Sequence, residues 1–333
     1  MPNKDSSNPV SGEIVAVDAY DVVVKPTDLV DATDMESRIY KAISVQRPVV
    51  MEYLKSLRRD KPDATPADLL KELEKRYVST VTVTGAGVGA SAAIPGVGVP
   101  LALGLGAVDL LFFYETSALY VLAATELHGI EVHDAERARP LVFGMLTGEK
   151  SQSKVTKVVL QASGAGSIEQ VRTIASGTVG KALPNGWGEV LTTQLPDSAL
   201  APLSTVLAKQ ALKSSARMGA GTLGKVIPFG VGAVVGGVGS YTFGRDVVKA
   251  ARVAFPTAPT EFPEWLQDYS KSDEGLIESS RAAQALQSAA HTVADAGAAT
   301  WGAAFRGARS VNARLKRDRK GKAKKDDAGE TEG

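Results

Sequence analysis

Apolar positions along most of this chain recur at helical spacing and seldom alternate. From Asp34 onward Ile39, Ile43, Val50, Tyr53, Leu54 and Leu57 fall at steps of three, four and seven. That spacing predicts helix, bent near Pro48, where the ring removes a backbone hydrogen bond. Thr65-Pro66-Ala67-Asp68 has the marks of a helix start: a capping hydroxyl, a proline in the first turn and an early acid. The helix it opens carries Leu69, Leu70, Leu73 and Tyr77 on one face and Lys and Glu on the other. Further helices are predicted from Asp134 to Gly148, through an amphipathic region from Ser151 to about Lys181, over about Ala199–Met218, and over about Gly275–Val311. Leu183-Pro184-Asn185-Gly186-Trp187-Gly188 reads as a turn. Before the first helix, Val-rich Glu13–Lys25 reads as an edge strand, an ordered arm or a flexible lead-in.

Two segments depart from the amphipathic pattern. Between Arg76 and Asp109 there is no charge, and Pro95 and Pro100 interrupt the glycine-rich run. Two packed helices with a tight hinge at those prolines are predicted. The second continues through Asp109 and Glu115 to about Leu127, with Gly129 as its stop. The other segment is Val226 to Gly244, followed by Arg245, Lys249 and Arg252. Glycine in a helix costs about 1 kcal/mol relative to alanine, so close packing must recover that loss. Gly85 with Gly89, and Gly232 with Gly236, are spaced four apart, which lets helix backbones approach. One reading is a buried hairpin in a soluble helical domain. The other is a hairpin seated in a membrane. As helix, Val78–Ile94 would extend about 25 Å, just short of the ~30 Å hydrocarbon core. Neither segment has the Leu/Ile/Phe richness of a spanning helix, so a re-entrant or interfacial hairpin suits the membrane reading better.

Asp109 and Glu115 are costly to bury alone. A buried charge pair between either acid and Arg245 is therefore expected, as a packing device. The run Val81–Ala90 imitates a strand and glycine turn of the dinucleotide-binding type. Pro95 would cut short the helix whose N-terminus must hold the pyrophosphate, and no β-α-β alternation follows. Glu126, His128, Glu131 and His133 gather at a helix end, where a solvated terminus is the plainer reading than a metal or acid–base site.

Composition narrows the classes. The 333 residues carry a net charge of +1, which gives no field for nucleic acid, and the absence of cysteine removes disulfides and thiolate metal sites. Three scattered histidines supply no zinc site. No cofactor motif is present. The N-terminus lacks a signal-peptide pattern, which makes a cytoplasmic location the default expectation. A basic stretch from Arg306 through Lys325 precedes an acidic finish; it reads as a solvated, solubilising end or as a segment for anionic lipid, and not for specific nucleic acid, since no aromatic residues interleave it.

Together the glycine-rich run Gly85–Gly98, Asp109 in the following apolar helix, His128-Gly129 at its close, the Val226–Gly237 run, Arg245 and Arg252-Val253-Ala254-Phe255 resemble the EcsC-like family over about residues 65–256. Family members often carry Tyr-Gly where this chain has His128-Gly129. The family is named for a protein encoded beside ABC-transporter subunits and has no established reaction. The resemblance implies a helical architecture and membrane context, with no catalytic residues to carry over. The expectation is an all-α chain. Its parts are an arm (1–33), a compact helical domain (34–256), a linker with trailing helix (257–313) and a disordered charged tail (314–333). The expected function is membrane-proximal interaction, with a membrane surface or membrane protein as partner. The alternative is an enzyme with an acid-containing site near Asp109 and Glu115.

Overall fold

The computed structural model describes residues 32–44, 47–91, 98–164, 183, 185–223, 231–270 and 273–296, and every regular element among them is helical. The helices are α1 (Ala32–Ala42), α2 (Arg47–Asp60), α3 (Pro66–Ser91), α4 (Gly98–Leu127), α5 (Ala135–Leu146) and α6 (Gln152–Ser163). They continue as α7 (Gly186–Thr193), α8 (Asp197–Leu223), α9 (Val231–Ala254), the short α10 (Glu264–Gln267) and α11 (Glu274–Glu278), and α12 (Arg281–Ala296). The N-terminal arm and the charged tail lie outside the described residues.

Three long helices form the centre. Leu69, Leu73, Tyr77 and Val81 repeat every fourth residue, and all four are buried on one face of α3. Tyr77 stacks on Tyr120 of α4 at 4.5 Å between ring centroids, and its hydroxyl lies 2.8 Å from Ser117 Oγ. On its other side α3 meets α9 at Ala86 against Gly237 and Val81 against Gly244, and at Glu74, whose carboxylate accepts from Arg252 at 2.5 and 2.9 Å. Rising numbers on α3 meet falling numbers on α9, so this pair is antiparallel. Helix α4 also runs back along α3. Consequently α4 and α9 point the same way, with Phe113 against Phe243 midway and His128 stacked on Phe255 at their ends, each ring pair 4.8 Å apart.

Helices α1, α2 and α12 cover one flank of this trio, and α5 with α6, α7 and α8 covers the other. Ser280 opens α12 by accepting the Ala283 N–H at 3.2 Å. Trp187 of α7 is fully buried. It donates Nε1–H to Gln152 Oε1 at 2.8 Å, while Gln152 Nε2 donates to the carbonyls of Gly144 and Gly148.

Several boundaries differ from expectation. The Leu183–Gly188 turn is shorter than predicted, because α7 already starts at Gly186 and carries Trp187 inward. Pro100 sits in the first turn of α4 and does not break it, since a missing N–H costs nothing there. Pro95 lies outside the described residues. The stretch after Phe255 is no linker. Phe262, Trp265, Leu266, Ile277, Ala282 and Leu286 join the common core. Arg58 of α2 donates to the carbonyls of Leu266 and Gln267 and lies 3.9 Å from the centre of the Phe262 ring. Proline-rich composition marked a segment that cannot be helical, and its apolar side chains decide where it packs.

Candidate functional site

The parallel course of α4 and α9 gives the central trio two unlike ends. At the first, the C-terminal part of α3 meets the N-terminal parts of α4 and α9. All three are free of charge: α3 after Arg76, α4 before Asp109, and α9 before Arg245. Val83 and Val238 project outward here, 55% and 47% exposed, and a side chain on Gly87 would meet nothing within 4 Å. Gly85 is buried on α3 and Gly89 is half-buried. The surroundings of Gly232 and Gly236 lie outside the described residues. The close approaches seen between α3 and α9 fall on Gly237 and Gly244, which spacing had not singled out. A Cβ on Gly237 would stand 3.1 Å from the Ala86 Cβ, and one on Gly244 2.8 Å from Val81 Cγ2.

Glu115 and Arg245 do not form the expected pair. Glu115 accepts from Ser280 Oγ at 3.3 Å, with the Arg281 guanidinium at 3.7 Å. Arg245 is exposed and donates to its own helical neighbour, Tyr241 Oη, at 3.0 Å. Position explains the failure: Arg245 lies one residue beyond Gly244, which faces α3, and so projects outward. The Asp109 side chain lies outside the described residues.

At the opposite end, polar groups are buried deliberately. Glu126 is 1% exposed and is held by Arg47 through two hydrogen bonds of 2.6 and 3.1 Å. Glu131 lies 3.4 Å from the same guanidinium and 2.6 Å from His133 Nε2. Arg47 is raised above its ordinary pKa, chiefly by the Glu126 hydrogen bond. The expected solvated terminus is thus half correct, since Glu131 and His133 are exposed while Glu126 is not. The arginine that neutralises it lies 79 positions earlier, so local sequence carried no sign of it. Among the described residues no group of three His, Cys, Asp or Glu is placed to hold a metal ion.

Beside this cluster lies a cleft of about 440 Å³, bounded by the end of α4, Asn185 and Glu189 of the α7 region, and the strap from Phe255 to Pro263. Gly129 takes a left-handed conformation (φ 75°) and turns the chain away there. His128 forms part of the cleft wall. Its Nδ1 is 2.7 Å from the Ala124 carbonyl, which makes Nδ1 the protonated nitrogen. Nε2 is closed off from solvent and faces the Thr257 carbonyl without completing a hydrogen bond. Burial lowers the His128 pKa, against the pull of the Ala124 and Thr257 carbonyls and of Glu74. The sequence had marked His128, Glu126, Glu131 and His133 together. It could not show that His128 faces a strap more than a hundred residues away.

No family model, curated protein or solved structure matches the chain.

Proposed function

We propose that this protein is a membrane-proximal interaction protein whose charge-free end seats in one leaflet of a lipid surface. The observation that carries the reading is the convergence of three uncharged helix ends. At 1.5 Å per residue the uncharged part of α4, from Gly98 to Asp109, is about 16 Å deep, and those of α3 and α9 are about 22 and 21 Å. Half of a ~30 Å hydrocarbon core is about 15 Å. The depth suits one leaflet and falls short of a span. Among the described residues one stretch, Leu110–Leu127, is long and apolar enough to cross a bilayer, but 72% of it is buried within the protein. It reads as core helix, and the proposal rests on the helix ends instead.

The resemblance to the EcsC-like family adds membrane context, with a transport system as the class of partner and the cytoplasmic face as the place. Arg306–Lys325 supplies the electrostatic part, since one weak apolar contact holds a protein only marginally and a polybasic segment adds a second signal. The enzymatic alternative near Asp109 and Glu115 gains nothing from the geometry, because Glu115 is already engaged by Ser280 and Arg281.

Vesicle flotation tests the proposal. The full chain is expected to float with anionic vesicles at low salt, and Val83→Glu with Val238→Glu to abolish flotation. Both side chains are exposed, so the exchanges leave no buried charge. Undiminished flotation of the double variant, or none by the parent chain, contradicts it.

A further inference from the structure

We infer that the cleft at the far end of α4 and α9 binds a small organic cation bearing an ammonium or guanidinium group. Its volume of about 440 Å³ lies within the range of small-molecule sites, roughly 300–1,000 Å³, and exceeds what a single metal ion fills. The residues that line it include two acids, Glu189 and Glu261, and neither a lysine nor an arginine. Neither acid has an ion-pair partner among the described residues. The C-terminal end of α4 adds the negative end of its helix dipole.

The backbone of the strap points the same way. Pro256, Pro259 and Pro263 remove three N–H donors while keeping their carbonyls. His128 lines the wall, but its Nε2 is closed off against the Thr257 carbonyl and adds no donor to the cleft. Thr257, Thr260 and Asn185 can donate or accept and so do not reverse the balance. Two arginines lie near the cleft: Arg47, already held by Glu126 and Glu131, and Arg58, on α2 against Phe262. The Arg58 guanidinium is already spent on the carbonyls of Leu266 and Gln267. The two acids and the proline carbonyls thus weight the cleft toward acceptors and negative charge, which a donor-rich cation complements.

Ammonium groups also occur on lipids, but position argues for a free solute. From Gly98 to Leu127, α4 separates the charge-free end from the cleft by about 44 Å, beyond reach of a headgroup at that end. The inference stands whether or not the membrane proposal does.

The test titrates the full chain, labelled with ¹⁵N-histidine, with agmatine and spermidine, and with butyrate and 1,4-butanediol as uncharged or anionic counterparts. At least one of the two cations is expected to bind saturably, to weaken as salt rises, and to shift the His128 Nε2 resonance. Glu189→Gln combined with Glu261→Gln should weaken binding by at least about tenfold, equivalent to 1.4 kcal/mol. Circular dichroism of that variant verifies that the fold persists. Vesicles of zwitterionic phosphatidylethanolamine form the lipid arm, and a His128 shift on adding them in place of the free amines overturns the assignment to a solute. It is equally overturned by no saturable binding of either cation at millimolar concentration, by butyrate binding as well as agmatine, or by unchanged affinity in the folded double variant.

Discussion

Gly186 takes φ 84°, and a Cβ there would fall 2.0 Å from the Ala254 carbonyl oxygen. Gly144 and Gly188 are similarly crowded, the first by the Trp187 ring and the second by the Phe255 ring, each at 2.5 Å. These three glycines let α7 lie against α5 and the end of α9. Gly186→Ala combines a left-handed backbone, about 1–2 kcal/mol, with overpacking of about 1–3 kcal/mol. A loss of roughly 2–5 kcal/mol is expected in urea denaturation. Gly87→Ala, in open space on α3, should instead raise stability by up to about 1 kcal/mol. Equal effects at the two positions would contradict this account of the glycines. Spacing of four drew attention to Gly85, Gly89, Gly232 and Gly236, whereas Gly186 and Gly188 sat in what read as a turn. Their constraint comes from a chain segment nearly seventy residues later, and nothing local announces it.

At the scale of elements, the run Ser79–Thr84 shows why context outranks propensity. Its Thr and Val residues favour strand, yet it lies within α3. Thr80, Thr82 and Thr84 each donate to the carbonyl four residues back, at 2.8, 2.5 and 2.9 Å, which satisfies the hydroxyls inside a helix. The glycine-rich pattern indicated two helices, and α3 and α4 are found there; Pro95 lies outside the described residues, and the close approaches fall on Gly237 and Gly244. The pattern did not reveal that α3 packs on α9 as well as on α4. The proline-rich segment after Phe255 likewise read as a boundary, because composition shows where a helix stops and not where the chain goes next. The α3–α9 contact also separates two kinds of stabilisation. Arg252 is 64% exposed and Glu74 10%; solvent discounts the bond itself, so with Glu74→Gln beside it, leaving no stranded carboxylate, Arg252→Ala should cost less than about 1 kcal/mol. Gly244→Leu forces a large side chain against Val78 and Val81 and should cost about 1–3 kcal/mol. Thermal denaturation of the two variants decides the order, and a larger loss for Arg252→Ala with Glu74→Gln would place the stability in charge rather than fit.

For the whole molecule, the sequence conveyed the all-helical class and the two uncharged segments, but left open whether these were core or surface. Their burial is divided. Val81, Gly237 and Gly244 face inward, while Val83 and Val238, two and one residues along, face out. A single helical pattern thus serves both packing and an apolar exterior, which explains why periodicity alone did not choose. The central claim is that this exterior enters lipid. The chain has no cysteine, so single cysteines at Val83, at Val238 and, as a control at the opposite end, at exposed Glu136 can each carry an environment-sensitive fluorophore. Added anionic vesicles containing doxyl-labelled lipid should blue-shift and quench the probes at positions 83 and 238 while leaving that at 136 unchanged. Probes at 83 and 238 that keep their aqueous emission with vesicles at low salt would contradict the claim and leave the charge-free end as a surface for protein.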